Sequence, residues 1–291
     1  MSSDIMPMTE PRPRRQRSQR SGATDAALLF DEPGPRGRIL IAIGSVVAVI
    51  GIAALAAAVL YRLDLAGQLD YPKWRYFLGQ SVVSQLLEAA GTTLTLGGVA
   101  AVLTFPLGIA LGWLRLLDNR PIKWLVGLWV DAMRAVPMLL LVYFFLLVVP
   151  RFATISDFWK LALPIVMCTS ATTAEVFRSG VRALDRGQTE AAWALGMSPS
   201  LTMRLILAPQ ALRLMLPTLI TQMVTIIKGT TLAYVLAYPE LMYRGSTMIG
   251  QAKIDAHLSV FFQTYVIIAV LYIIVNWSLG ALARYIESRT R

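Results

Sequence analysis

Apolar residues along this chain gather into long runs instead of alternating or recurring singly. Residues 39–61 contain no charged side chain, and neither do residues 89–114. Each run exceeds the roughly 20 residues that a helix needs to cross the hydrocarbon core of a bilayer. The alternation of barrel strands is absent, so the spanning elements are helices, whose backbone groups are satisfied within each segment. Four further spans follow at 124–149 (interrupted by Asp131, Arg134 and Pro137), 161–177 (containing Glu175), 214–238 (containing Lys228) and 260–283. The pattern therefore predicts an all-α, polytopic membrane protein with six transmembrane helices. Gly91, Gly97, Gly98, Gly108 and Gly112 leave room for close packing in the second span. Pro137, Pro164 and Pro217 each remove a helical hydrogen bond, as hinges or as packing features. Trp74 and Tyr76 mark residues 62–86 as an interfacial stretch.

Composition agrees: 56% hydrophobic and 15% charged residues, with a mean hydropathy of +0.60, are too apolar for an ordinary soluble domain. The net charge of +10 points to membrane orientation, not to nucleic acid, because Lys and Arg fall between the apolar runs. With six spans, 19 of the 27 basic residues lie on the side that holds both termini and segment 178–213. An excess of this kind places that side in the cytoplasm. Cys168 is alone and sits in an apolar run, so no internal disulfide forms, and the single His257 makes no metal cluster.

Residues 1–38 hold five Arg between Pro11 and Arg20, together with Pro, Ser and Gly, which reads as a disordered basic cytoplasmic tail. Arg14-Arg15 raises the alternative of a cleaved twin-arginine signal. The apolar run begins some distance later and is too long for a signal core, favouring a retained helix at 39–61.

The cytoplasmic stretch 187–213 reads as two short helices joined at a glycine. Glu190, Ala191 and Ala192 open a run of good helix formers, and Gly196 ends it. Ser198 then caps a second helix with Pro199 at its first position. That helix presents Leu201, Leu205 and Ala208 on one side, and Pro209 stops it. On physical grounds the pair suits either a groove on another protein or the lipid interface.

The Glu-Ala-Ala sequence, the Gly six residues after the Glu, and Ile206 and Pro209 resemble the EAA loop of ABC importer permeases. Ala208 departs from the Leu usual before that proline. The resemblance implies that Glu190, Ala191, Ala192, Gly196, Ser198 and Pro209 form a coupling helix seated in a nucleotide-binding subunit. It extends over residues 86–287, the five-helix transmembrane domain, and leaves the helix at 39–61 as an addition. Arg134-Ala-Val-Pro137, Ala174-Glu175-Val-Phe-Arg178-Ser-Gly180 and Lys228-Gly-Thr-Thr-Leu232 resemble the polar amino-acid uptake branch. Leu29 to Gly37 resembles the actinobacterial glutamate-uptake permeases.

Ionisable groups at membrane depth are costly and usually mark a pathway. Counted along their spans, Arg134, Glu175 and Lys228 fall in one layer near the bilayer middle. Arg134 or Lys228 would hold an α-carboxylate and Glu175 an ammonium, with Thr230 and Thr231 adding hydroxyls. The alternative is that Glu175 pairs with Arg134, Lys228 or Arg178 and ties helices together, and that the threonines bond back to their own helix. Glu240, beyond the fifth span, is expected to be solvated. In the family an Asp often follows the Lys; Gly229 here favours a neutral or acidic cargo, glutamate or glutamine.

The sequence contains no Gly-x-x-x-x-Gly-Lys-Ser/Thr phosphate loop, so this chain is not expected to be an enzyme or to bind a cofactor. ATP and Mg2+ would act on a partner ATPase dimer. A second permease subunit, related or identical, and an extracytoplasmic solute-binding protein complete the expected partners in the bacterial plasma membrane. An ion-coupled secondary transporter is the competing class, and the inverted repeats that would mark it are not found.

Overall fold

A computed structural model describes residues 34–290 of the chain. Residues 1–33, with the Arg cluster and most of the Leu29–Gly37 motif, lie outside the described residues. The chain divides into two compact units, residues 1–66 and 67–291.

The first unit contributes helix α1 (Pro35–Leu65), which starts within the expected tail and outruns the apolar run at both ends. Pro at its first turn suits a position whose N–H has no helical partner. Over residues 39–61 it is uncharged and exposed around the whole circumference, the character of a helix that lipid can cover on every side.

The second unit opens with short α2 (Tyr71–Arg75) and a 3-10 turn at Tyr76–Leu78. Trp74 donates its indole N–H to the Gln68 carbonyl at 3.2 Å and meets Phe262 edge-on. Next come α3 (Gln80–Leu114), α4 (Arg120–Ala135), α5 (Met138–Leu147) and α6 (Asp157–Arg182). The expected coupling segment forms α7 (Arg186–Ala194) and α8 (Pro199–Thr202), which continues through a wide π-type turn at Met203–Leu207 into α9 (Ala208–Gly229). A 3-10 turn (Thr230–Leu236), α10 (Leu241–Asp255) and α11 (Phe261–Thr290) complete the unit.

Among the described residues, four helical stretches are long and apolar enough to cross a membrane: Arg36–Leu65, Gln80–Leu114, Pro199–Leu236 and Phe261–Leu282. A fifth would be α4 joined to the stretch Met138–Arg151, but the two are bent by 96°. The bend falls at Val136 and Pro137, both extended, because a residue preceding proline is pushed out of the helical region. The sixth expected span, 161–177, lies in α6 and is not long enough as an apolar stretch to join this set. Its polar residues are turned inward: Thr169, Ser170 and Thr173 are buried, each bonded to a carbonyl of its own helix. A helix enclosed by its neighbours need not be apolar throughout.

Helix α6 is the centre of the unit. α3 lies against it so closely that a Cβ at Gly112 would stand 2.6 Å from the Ala174 carbonyl oxygen. The Thr104 and Thr169 hydroxyls meet at 2.7 Å across this seam. α9 packs along α6 through Phe177, Val181, Leu207, Ala211 and Met215 at one end and through Ile165 and Ile226 further along. α3 and α6 therefore run parallel, and α9 runs antiparallel to them, packed against both. One end of the bundle carries α7 and α8, here called the loop end.

Candidate functional site

At the loop end, local chemistry forms the two short helices as the sequence predicts. Gly196 adopts φ +77°. Its N–H donates to Trp193 O at 2.9 Å and that of Met197 to Ala192 O at 3.1 Å, the paired bonds of a glycine-terminated helix. Ser198 accepts from Leu201 N at 3.3 Å and caps α8, with Pro199 following. Pro209, by contrast, does not stop the second helix. It sits in the first turn of α9, where the preceding wide turn spares the hydrogen bond that proline lacks. The same turn changes which residues share a face. Leu201 and Leu205 are exposed, while Ala208 is buried against α6.

Glu190, Ala191, Gly196, Ser198 and Pro209 are exposed and Ala192 is buried. Trp193, Leu195, Leu201 and Leu205 are all exposed, with Leu195 at 81% exposure. The loop thus presents apolar side chains outward from both of its short helices. Gln210 donates to Gln188 at 3.1 Å, fastening α7 to the start of α9.

The three intramembrane charges do not share one layer. Glu175 lies toward the loop end, where it accepts from Arg115 at 2.9 Å and pairs with both nitrogens that Arg178 presents. Arg115 also reaches Asp131 at 3.3 Å, and Arg134 approaches Asp131 at 3.9 Å. This cluster joins the ends of α3, α4 and α6. Lys228 sits beside Gly229, whose nearest neighbours include Met138 and Ile165. Ile165 precedes Glu175 by ten residues on α6, or about 15 Å of helix. Counting residues along straight spans missed this separation because the third span breaks at Pro137, leaving Arg134 on the arm at the loop end.

Lys228 is exposed and has no ion pair or side-chain hydrogen bond among the described residues. Thr231 is partly exposed and donates to Lys228 O at 2.7 Å. Thr230 is fully buried, donates to Ile227 O at 2.7 Å and is turned away from the open face that a cargo could reach. Both follow the back-bonding alternative. Glu240, expected in solvent, is also fully buried. It caps α10 by accepting from Tyr243 N at 2.8 Å and takes the Tyr272 hydroxyl at 2.7 Å. Burial pushes its carboxyl above the usual carboxylate range. Thr93 donates no bond to it but accepts from Leu241 N at 3.1 Å, so the network ties α3, α10 and α11 together. Among the described residues no group of three His, Cys, Asp or Glu lies close enough to hold a metal ion.

The open face of α9 is the feature that the sequence analysis did not isolate. Gln210, Arg213, Thr218, Thr221, Thr225 and Lys228 are exposed at helical spacing, with Leu214 and Pro217 among them. From Gln210 to Lys228 the stripe covers about 27 Å, nearly the thickness of the hydrocarbon core. The signal was present as the spacing of four and three between Thr218, Thr221, Thr225 and Lys228. On α11, by contrast, Val270, Ile273, Ile274 and Trp277 are exposed and apolar. Lipid can cover those; Thr221 and Thr225 donate to the Pro217 and Thr221 carbonyls at 3.2 and 3.1 Å, and it is the free ammonium of Lys228 and the charge of Arg213 for which lipid is a poor neighbour.

Comparison with known proteins adds the following. The family described as "Binding-protein-dependent transport system inner membrane component" matches residues 104–291. A probable glutamine ABC transporter permease protein of Bacillus subtilis is 33% identical over 198 residues, covering 68% of this chain and 89% of that one. A glutamate transport system permease protein of Corynebacterium glutamicum is 33% identical over 230 residues, covering 77% and 82%. Among solved structures, an amino acid ABC transporter with histidines superposes with a TM-score of 0.64 at 24% identity, covering 72% of this chain and 95% of that chain. The MetNI methionine ABC transporter in an inward-facing form gives 0.61 at 17% identity, covering 73% and 99%.

Proposed function

The chain belongs to the family of inner membrane components of binding-protein-dependent transport systems, and from that premise we propose that its cargo is glutamate or glutamine. It is a membrane-spanning permease subunit of an ABC importer for amino acids. The cargo rests on the names of the relatives from B. subtilis and C. glutamicum and on the absence of an anion next to Lys228.

The observation that carries the proposal is the polar open face of α9. It connects Lys228, deep in the span, to the loop end, so an amino acid held at Lys228 has a hydrophilic way out. A single subunit leaves that face open, and a second permease subunit, related or identical, would close it into a path. Arg134 and Lys228 are the cations nearest in kind to a carboxylate site, and Lys228 with Thr231 is the better placed. Glu175, locked between Arg115 and Arg178, holds helices together at the inner end and does not meet the cargo in this conformation.

The exposed Trp193, Leu195, Leu201 and Leu205 of the loop dock on an ATPase subunit, which hydrolyses ATP with Mg2+, while this chain binds no cofactor of its own. The excess of Lys and Arg puts the loop end and both termini in the cytoplasm. A solute-binding protein delivers the cargo at the opposite end. Residues 67–291 contain the conducting unit, and α1 is an added anchor in lipid.

Reconstitution in proteoliposomes tests the assignment. The chain alone is expected to show no ATPase activity and no uptake; addition of the ATPase, its permease partner and a loaded binding protein is expected to start both. Robust uptake by this chain alone on an ion gradient would refute it.

A further inference from the structure

Helix α4 lies across the bundle instead of along it. Met138 packs beside Ile165, and Val142 beside Leu161 and Ala162, so α5 runs antiparallel to α6. α4 is bent by 96° from the stretch that holds α5 and is therefore nearly perpendicular to α6. Val130 seats it against Leu111, Ala171 and Ala174. Arg115, the first charge after the uncharged run of α3, reaches Asp131 at 3.3 Å. The crossing thus falls at the depth where the apolar length of α3 gives way to charge. The 16 residues of α4 measure about 24 Å, and almost none of that length goes toward crossing the membrane.

The side chains of α4 divide to match that position. Arg120, Lys123, Asp131 and Arg134 share one face at helical spacing, with Gly127 between them. Asp131 meets Arg115, which lies beyond Leu111 toward the loop end, so this polar face is turned to the loop end. Leu125, Leu128 and Trp129 lie on the opposite side and Trp124 at its margin, all exposed. A short helix with one apolar face, indoles and a basic polar face suits the membrane interface. Asp131 and Arg134 belong to the cluster around Glu175. Arg120 and Lys123, at the amino end, are exposed and have no ion pair among the described residues. No acidic residue stands in that first turn; Asp118 precedes it. The loop end also carries the excess of Lys and Arg that marks the cytoplasmic side, whose leaflet is the negatively charged one. We infer that α4 is an in-plane interfacial helix whose amino end, through Arg120 and Lys123, binds the headgroups of anionic phospholipids in the leaflet at the loop end. The guanidinium and ammonium donate charge-assisted hydrogen bonds to the phosphate oxygens. Each such cation strengthens binding to an anionic surface about fivefold. The inference does not depend on the cargo.

The test attaches a fluorophore to Leu125→Cys or Val102→Cys in the assembled complex, the native Cys168 being buried, and reads its quenching by brominated lipids in vesicles. Val102 lies 12 residues before the end of α3, about 18 Å deeper. Bromine near the headgroup is expected to quench the Leu125→Cys label at least twofold more than bromine near the chain end, with the order reversed at Val102→Cys. Stronger quenching of Leu125→Cys by the deep bromine would make α4 part of a span and overturn the placement. No quenching by either lipid overturns it too, because a second permease subunit or the ATPase would then cover this face. In the second arm, brominated phosphatidylglycerol or phosphatidylcholine is diluted into unbrominated phosphatidylcholine. Phosphatidylglycerol is expected to bind beside the Leu125→Cys label at least threefold more strongly than phosphatidylcholine. Adding Arg120→Gln and Lys123→Gln together is expected to erase that preference. Equal binding of the two lipids without those substitutions overturns the anionic ligand, and a preference that survives them overturns the assignment to Arg120 and Lys123.

Discussion

The seam between α3 and α6 makes a quantitative prediction for Gly112→Ala. The new Cβ would stand 2.6 Å from the Ala174 carbonyl oxygen and 3.0 and 3.1 Å from Phe177 Cδ1 and Cβ. Carbon and oxygen in contact settle at about 3.3 Å or more, so the two backbones must part by about 0.7 Å. The obstacle is main chain, which cannot rotate out of the way. Gly108, one turn earlier, faces the Ser170 carbonyl with a 2.9 Å approach for its own Cβ, so the displacement spreads and strains the Thr104–Thr169 hydrogen bond. Overpacking of this kind costs about 1–3 kcal/mol. Alanine's better helix propensity returns up to about 1 kcal/mol, and a control removes that contribution. Gly98→Ala in the same helix gains the same propensity and meets nothing within 4 Å. The difference between the two variants is thus the clash alone, about 2 kcal/mol. For a unit of this size that is a gap of roughly 4–8 °C in midpoint, read by thermal unfolding of the detergent-purified chain, with Gly112→Ala the lower. Equal midpoints for the two alanines would refute the close approach.

Two other substitutions probe the charges. Lys228→Met is expected to abolish amino-acid uptake by the reconstituted complex while assembly persists, and unaltered uptake would refute its role. Glu175→Gln removes the anion shared by Arg115 and Arg178, whose side chains are only 16% and 20% exposed, and is expected to cost about 2–3 kcal/mol of stability. Asp131→Asn, at a side chain 61% exposed, should cost less than about 1 kcal/mol; similar losses for both would contradict the assignment of the cluster's weight to Glu175.

What could be read in advance was local. The end of α7 at Gly196 and the start of α8 at Ser198 need only the residues within one turn, and both formed as expected. Apolar runs located α1, α3, α9 and α11 because lipid selects on composition. α6 was harder for the converse reason: a helix surrounded by protein keeps buried threonines and a paired Glu175 that lower its hydropathy without exposing it. Pairings across the bundle were not legible. Arg115 lies 60 residues from Glu175, and which of four cations would claim that carboxylate depended on how α3 crosses α6. Glu240 looked solvated because it follows Tyr238-Pro239 at the end of a span, yet α10 turns back and buries it against Tyr272. Pro209 misled because its stopping power assumes an ordinary helix, and the wide turn before it removes the conflict. The open stripe on α9 was within reach of helical spacing, but telling a stripe that faces the bundle from one that faces outward required the packing.

The central claim is that the face of α9 leading from Lys228 to the loop end borders water, not lipid. Single cysteines at Thr221 and Thr225 of the assembled complex, compared with one at Val102, which is 71% exposed on the apolar part of α3, test it directly. The rate of modification by a charged, membrane-impermeant thiol reagent is the measurement, with the native Cys168 buried. Thr221→Cys and Thr225→Cys are expected to react at least tenfold faster than Val102→Cys. Equal, slow reaction at all three would contradict a hydrophilic path along α9.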